Sequence, residues 1–321
     1  MKKQAGYVPL HLHSEYSLLD GAIKIKELAE TATGWGLPAV AITDHGNLFG
    51  AVEFYKTMTK AGIKPIMGCE LYVAPSSRHS RQKEDGPFHL IALAKDNKGY
   101  SNLVELVSSA YTEGFYYKPR IDREVFEAHS EGLIVLSACM KGEVPYYLSH
   151  NMAEKARETA SFYRDVLGPE NYFIELQENG LPEQLELNRT LLELARSMDI
   201  RVAATNDCHY LKKEDRRAHD ILLCVGTGKT VNDPTRLKFK GDGLYFKSPE
   251  EMHAAFSELP EALSNTVEIA GRCDVKFQLG QNLLPLFKTE DGTDPGDFLE
   301  RLVRQGMKEK YGENPPAEHQ S

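Results

Sequence analysis

Short runs of apolar, often β-branched residues alternate along the chain with longer stretches in which apolar residues recur every three or four positions. The short runs predict strands at Val8–His13, Ala39–Thr43, Pro65–Val73, His89–Ala94, Leu133–Ser137, Tyr172–Leu176 and Arg201–Thr205. The longer stretches predict helices at Ile23–Ala32, Ala51–Ala61, Asn102–Tyr111, Ala153–Val166 and Glu183–Met198. In the last of these, Leu187, Leu191, Leu194 and Met198 fall at helical spacing. Strands that alternate with helices in this way imply an α/β fold on a parallel sheet, either closed into a barrel or open and doubly wound.

The pattern changes after about Phe246, where strand signals fade. Ser248-Pro249-Glu250-Glu251 has the form of a capped helix start, and Pro260-Glu261 opens another helix. Asn282–Asp297, rich in Pro, Gly and Asp, reads as a linker to a last helix at Phe298–Tyr311. The end, Pro315–Ser321, has no pattern for docking and resembles a chain cut within a longer protein. The expected organisation is one domain over 1–280, followed by a linker and the start of another portion over 281–321. Gly226-Thr227-Gly228-Lys229-Thr230 mimics the end of a phosphate-binding loop, but Leu223 stands where that motif needs its first glycine.

Composition narrows the class. No apolar run reaches the ~18 residues of a membrane-spanning helix, and no apolar stretch of signal-peptide type follows the N-terminus, so a cytoplasmic protein is expected. Five cysteines, an odd number without close pairs, do not make a disulfide framework. A net charge of −9 argues against a broad nucleic-acid-binding face. It leaves room for a site whose bound cations supply the positive charge.

The eleven histidines carry more information. His11 and His13 are two apart on an expected strand, so both imidazoles point to one face. Alone, such a pair is more often a surface or hydrogen-bonded pair than a metal site. Repetition changes the weighing. Asp20 follows in the next loop, strand two ends in Thr43-Asp44-His45-Gly46, and Glu70 interrupts an apolar strand. His89 opens the next strand, the fifth ends in Ser137-Ala138-Cys139, and the seventh ends in Asn206-Asp207-Cys208-His209, where the same alternation puts Asp207 and His209 on one face and turns Cys208 away. A Glu within a strand is rarely buried unless paired or metal-bound, although an edge strand would expose it harmlessly. A free Cys is usually a small core residue, and Asp44 reads as a hydrogen-bonding support rather than a ligand. Together the set suits Zn, Mn or Fe. His79, His129, His150, His219, His253 and His319 stand in polar or helical contexts and read as solvated.

These residues resemble the polymerase and histidinol phosphatase (PHP) superfamily. Longer matches resemble the PHP domain of bacterial DNA polymerase III alpha subunits of the DnaE type. They are Leu18-Leu19-Asp20-Gly21-Ala22, Thr43-Asp44-His45-Gly46-Asn47-Leu48-Phe49-Gly50-Ala51, Gly62-Ile63-Lys64-Pro65-Ile66, Lys118-Pro119-Arg120-Ile121-Asp122 and Ala204-Thr205-Asn206-Asp207-Cys208-His209-Tyr210. The resemblance runs to about residue 280. The Pro-Asp-Ile-Asp type motif of that family's polymerase portion is absent. The resemblance implies a distorted seven-stranded β/α barrel with a small C-terminal helical extension and three divalent metal ions. It implies that His11, His13, Glu70 and Asp207 hold one ion. Glu70 would bridge to a second, completed by His89 and Cys139, and Asp20, His45 and His209 would hold the third. The sequence departs from the family at none of these positions, and Cys139 and Asp20 follow the polymerase branch.

The function so implied is 3′→5′ exonuclease hydrolysis of a terminal phosphodiester, proofreading the attached polymerase, with Asp20, His13, Glu70 and Asp207 central to catalysis. Expected partners are a DNA 3′ end, the rest of the alpha subunit and replisome proteins, and no membrane. Two rivals are a catalytically silent metal-stabilised module and a small-molecule phosphatase of the histidinol phosphatase type. Lys118, Arg120, Arg216 and Arg217 are candidate DNA contacts, although charged loop residues are more often merely solvated.

Overall fold

A computed structural model describes residues 6–82, 86–239, 241–281, 283–313 and 316. His319 and most of the segment after 313 lie outside the described residues. In chain order the elements begin with α1 (Ile25–Trp35), β1 (Ala39–Ile42), α2 (Ala51–Lys60), β2 (Lys64–Val73) and β3 (Phe88–Ala94). There follow α3 (Asn97–Thr112), β4 (Arg120–Ile121), α4 (Arg123–Ala128), β5 (Leu133–Leu136), α5 (Glu143–Ser149) and α6 (Ala153–Leu167). The last group is β6 (Tyr172–Gln177), α7 (Pro182–Ser197), β7 (Arg201–Thr205), α8 (Arg216–Thr227), α9 (Pro249–Ala255), α10 (Pro260–Arg272) and α11 (Pro295–Tyr311). Helix α3 starts at Asn97, earlier than its apolar spacing indicated, because the Asp96 side chain accepts from the Gly99 N–H at 2.9 Å. The Ser248–Glu251 capping box opens α9 as the sequence suggested.

The sheet runs β1-β2-β3-β5-β6-β7, with β4 added on β2. It is mixed rather than all-parallel: β3 lies antiparallel to both β2 and β5. A parallel return needs a crossover, usually helical, and the described residues between β2 and β3 contain no helix. The reversal also explains His89. It pairs with Tyr72 at the start of β3, and the reversed direction brings that start to the end where the parallel strands finish.

Val8–His13 does not form a ladder strand. Pro9 has no N–H to donate, and the Val8 N–H donates to the Thr266 hydroxyl at 2.9 Å. The segment instead bonds to both ends of the curled sheet. It accepts from the Ala41 and Thr43 N–H groups on one side, and exchanges His13 N–H to Cys208 O and Cys208 N–H to His11 O on the other. The result is a distorted barrel of α/β class.

Alternation along β2 sends Cys69 and Leu71 outward against Leu103 and Leu106 of α3. Its other face, with Ile66, joins the barrel interior formed by Val8, Leu10, Ile91, Leu93, Leu136 and Phe173. Ile269, Ala270 and Cys273, at the end of α10, belong to the same cluster and close that interior. Met1–Phe277 forms one compact unit and Gln278–Ser321 another. In the second unit, α11 begins at Pro295, with Asp294 capping the Gly296 N–H. No helix among the described residues is long and apolar enough to cross a membrane.

Candidate metal centre

Nine side chains of the expected ligand types meet at the end of the barrel opposite α10. His11 Nε2 and His13 Nε2 stand 3.1 Å apart. His11 Nε2 lies 3.2 Å from Asp207 Oδ1 and 3.8 Å from Glu70 Oε2. His13 Nε2 lies 3.2 Å from Glu70 Oε2 and 3.4 Å from Asp207 Oδ1. The far nitrogen of each ring is already engaged. His11 Nδ1 donates to Glu175 Oε1 at 2.7 Å. His13 Nδ1 meets Ser17 Oγ at 3.0 Å, and that hydroxyl gives its own proton to Asp44 Oδ1 at 2.7 Å, so it must accept from the imidazole. In the neutral rings this leaves both Nε2 atoms as acceptors. Burial works against a second proton on His11, but Asp207 and Glu175 outweigh it and raise its pKa well above the usual value, so an arriving cation would displace that proton.

Glu70 faces two ways. Its Oε2 reaches His45 Nδ1 at 2.7 Å, and its Oε1 reaches His89 Nδ1 at 2.5 Å. Cys139 Sγ lies 3.7 Å from the same His89 nitrogen. Toward the mouth, Asp20 Oδ2 is 3.1 Å from His45 Nε2 and Asp20 Oδ1 is 3.9 Å from His209 Nε2. The His13 ring packs against both His45 and His209, with centroids 4.0 and 4.3 Å away, and those two rings lie 5.7 Å from each other.

Asp207 and His209 converge, but not by strand alternation. Strand β7 stops at Thr205, and Asp207 sits at φ 56°. Its neighbour Asn206 anchors the turn by donating to Glu178 O and Gly243 O. Cys208, between the two, joins the core behind. In Thr43-Asp44-His45-Gly46 the glycine is required: at φ 59°, a Cβ would approach Pro119 Cγ to 2.9 Å.

The charges are strongly coupled. Burial opposes ionisation of Glu70, yet His89 and His45 hold its carboxyl well below the usual range. Asp20 is likewise low, through His45 and His209 against the cost of burial. Burial works against protonated His45, but Glu70 and Asp20 outweigh it and raise its pKa to about 9. Burial lowers His209 to about 4. Burial, then Glu70 and Asp207, push the Cys139 thiol well up.

The donor set fits cations. Ligand atoms about 2.0–2.1 Å from a tetrahedral ion lie about 3.3–3.4 Å from one another. Five of the six distances among the His11, His13, Glu70 and Asp207 donor atoms run from 3.1 to 3.8 Å. Four acceptors pointed at one spot repel unless positive charge lies between them. Asp20 Oδ1, both His45 nitrogens, Glu70 Oε2 and Asp207 Oδ1 are also buried with no aligned hydrogen-bond partner, which is costly unless a cation meets them.

A profile of the PHP domain family matches residues 9–179, just over half the chain. The chain belongs to the PHP domain family. It is 47% identical over 309 residues to the DNA polymerase III subunit alpha of Treponema pallidum, covering 95% of this chain and 26% of the relative. It is 44% identical over 323 residues to the subunit of the same name from Thermus aquaticus, covering 97% and 26%. The chain thus spans about a quarter of the length of these curated relatives. Among solved structures, a Bacteroides vulgatus two-domain protein described as containing a predicted PHP-like metal-dependent phosphoesterase is 15% identical, with a TM-score of 0.41 over 81% of this chain and 64% of that one. A Bifidobacterium adolescentis protein assigned as a metal-dependent phosphoesterase is 16% identical, with a TM-score of 0.39 over 65% and 88%.

Two expectations about this PHP domain need correction. His219 is buried rather than solvated: its Nε2 bonds to the Asp20 carbonyl at 2.7 Å, and its ring packs 5.7 Å from that of His209. Arg120 is not a loop cation. It lies in β4, 4% exposed, donating to the carbonyls of Gly114, Arg78 and Ser80. Lys118 lies at the cage mouth, whereas Arg216 and Arg217 line a separate cleft with Arg236, Lys238 and Phe239. The sequence reading overlooked Glu175, although it interrupts an apolar strand just as Glu70 does. It also overlooked Ser17, which no local pattern distinguishes.

Proposed function

We propose that the cage holds three divalent ions, Zn, Mn or Fe, and that this chain is the phosphoesterase portion of a cytoplasmic bacterial polymerase III alpha subunit, hydrolysing the terminal phosphodiester at a DNA 3′ end. The rest of that subunit and the replisome would be its partners. The observation that carries the reading is the convergence of the His11, His13, Glu70 and Asp207 donor atoms, with His11 Nε2 and His13 Nε2 3.1 Å apart and each within 3.8 Å of both carboxylates. When bound, such ions supply an activated water and fixed positive charge for in-line displacement at phosphorus.

The chain's own residues would divide the work. His11, His13, Glu70 and Asp207 hold one ion. Glu70, with oxygens aimed at opposite groups, bridges to a second with His89 and Cys139. Asp20, His45 and His209 hold the third. Glu175 and Ser17 keep the Nε2 lone pairs of His11 and His13 available. Entry of substrate is from the Asp20 side, since the Asp20 side chain is 34% exposed while His11, His13 and Glu70 are buried. The His219 bond to the Asp20 carbonyl fixes that wall.

The test is metal analysis together with hydrolysis of a 3′-mismatched primer and of a small phosphate monoester, on the protein and its Asp20→Asn variant. Primer cleavage lost in Asp20→Asn supports the reading. Cleavage of the monoester alone would favour a small-molecule phosphatase. Metal uptake with neither activity would leave a structural module.

A further inference from the structure

The end of α3 and the loop from it to β4 carry an unusual set of exposed rings beside the cage. Tyr111 is 41% exposed, Phe115 50% and Tyr117 82%. Tyr117 has φ 59°, a backbone state that bulky residues rarely adopt outside sites where the surroundings impose it. The loop is bound to the metal centre. Pro119 packs against Gly46, next to His45, and Lys118 Nζ lies 5.2 Å from the centroid of Tyr72, whose ring stacks at 5.9 Å on His45. No carboxylate among the described residues pairs with Lys118 in an ion pair. Tyr111 and Lys118 line a cleft of about 390 Å³ that reaches Asp20 and His45, with Leu19 and Leu237 on its walls. That is within the size range of small-molecule sites.

We infer that this loop is a stacking platform for the unpaired nucleotides of a single-stranded DNA 3′ end. Tyr117 holds a base outside the cleft, Tyr111 holds one within it, and Lys118 contacts the phosphate that leads to the cage. Aromatic faces interleaved with a cation are what single strands require, whereas a paired duplex end offers only its last base pair to stack. The inference rests on the hydrolase reading only for the direction of the strand. An unpaired terminus would reach the cage and a paired one would have to fray first.

Binding and cleavage are measured separately. In chelator, a 5′-labelled single strand of about 12 nucleotides and a blunt duplex are titrated by anisotropy against the protein and its Tyr117→Ala, Tyr117→Phe and Lys118→Ala variants. The single strand is expected to bind more tightly than the duplex. Tyr117→Ala weakens it about tenfold and Tyr117→Phe restores it. Lys118→Ala reduces the slope of log affinity against log salt by about 0.7. With Mn²⁺, Tyr117→Ala raises KM for the single strand and leaves kcat unchanged. Because Tyr117 is so exposed, its variants fold, which unchanged melting temperatures verify. Unchanged single-strand affinity or KM in Tyr117→Ala, or a duplex bound equally well, overturns the platform. A protein that binds single strands through Tyr117 but cleaves none supports the platform and refutes the hydrolase.

Discussion

Replacing Glu175 with Gln tests the cage through a residue that would touch no ion. Glu175 is fully buried on β6, and its Oε1 accepts from His11 Nδ1 at 2.7 Å, Thr205 Oγ1 at 2.5 Å and Gln177 Nε2 at 2.9 Å. Glutamine keeps the shape and one acceptor but removes the charge that makes His11 a stronger donor through its far nitrogen. Losing such a partner typically lowers metal affinity about 10- to 100-fold, or about 1.4–2.7 kcal/mol. Glu175→Ala is a harsher change, leaving three buried donors without an acceptor at about 1–3 kcal/mol each, and is expected to compromise folding. The assay is competition for Zn²⁺ against a chromophoric chelator, with circular dichroism as the folding control. A folded Glu175→Gln protein with undiminished affinity would show that His11 is not a ligand, or that its orientation is set elsewhere.

Three other outcomes follow from the same geometry. His45, raised to about 9 in the metal-free cage, carries a proton at pH 7 that an arriving ion must displace. Calorimetric loading is therefore expected to release at least one proton at pH 7, and this proton is lost from the count as the pH passes about 9. Identical apparent enthalpies in buffers of different ionisation heat would contradict this. Chelation should lower the melting temperature, because ions at about 1,000 times their Kd stabilise the folded state by about 4 kcal/mol; a melt indifferent to chelator would mean that no ion binds. Leu93→Ala, inside the barrel among Ile66, Ile91 and Phe173, is expected to cost about 2–5 kcal/mol in denaturant unfolding. A loss below about 1 kcal/mol would mean that the interior collapses around the gap.

Much of the architecture was legible in local pattern, for reasons that also mark its limits. The helix at Ala153–Leu167 is nearly pure periodicity, because it buries one well-defined face, and the strand at Arg201–Thr205 shows as a short continuous apolar run, because it is buried on both faces. The reversal of β3 was not legible, since the direction of a strand depends on what connects it and not on its own composition. The strand expected at Val8–His13 failed at Pro9, where a missing N–H decided against ladder pairing. Its two histidines still reach one point, as do Asp207 and His209, the latter through a turn at positive φ rather than a pleat. Glu175 carried the same signal as Glu70. His219 and Arg120 carried none, because whether a polar side chain is buried depends on what folds over it.

The cage draws on residues from His11 to His209, and the segment holding its first two histidines is bonded to Cys208. A nascent chain that ends before His209 cannot own a complete set of donors. For the hydrolase proposed above, cleaving capacity would appear only once the turn after β7 has docked, and a copy lacking it would be inert.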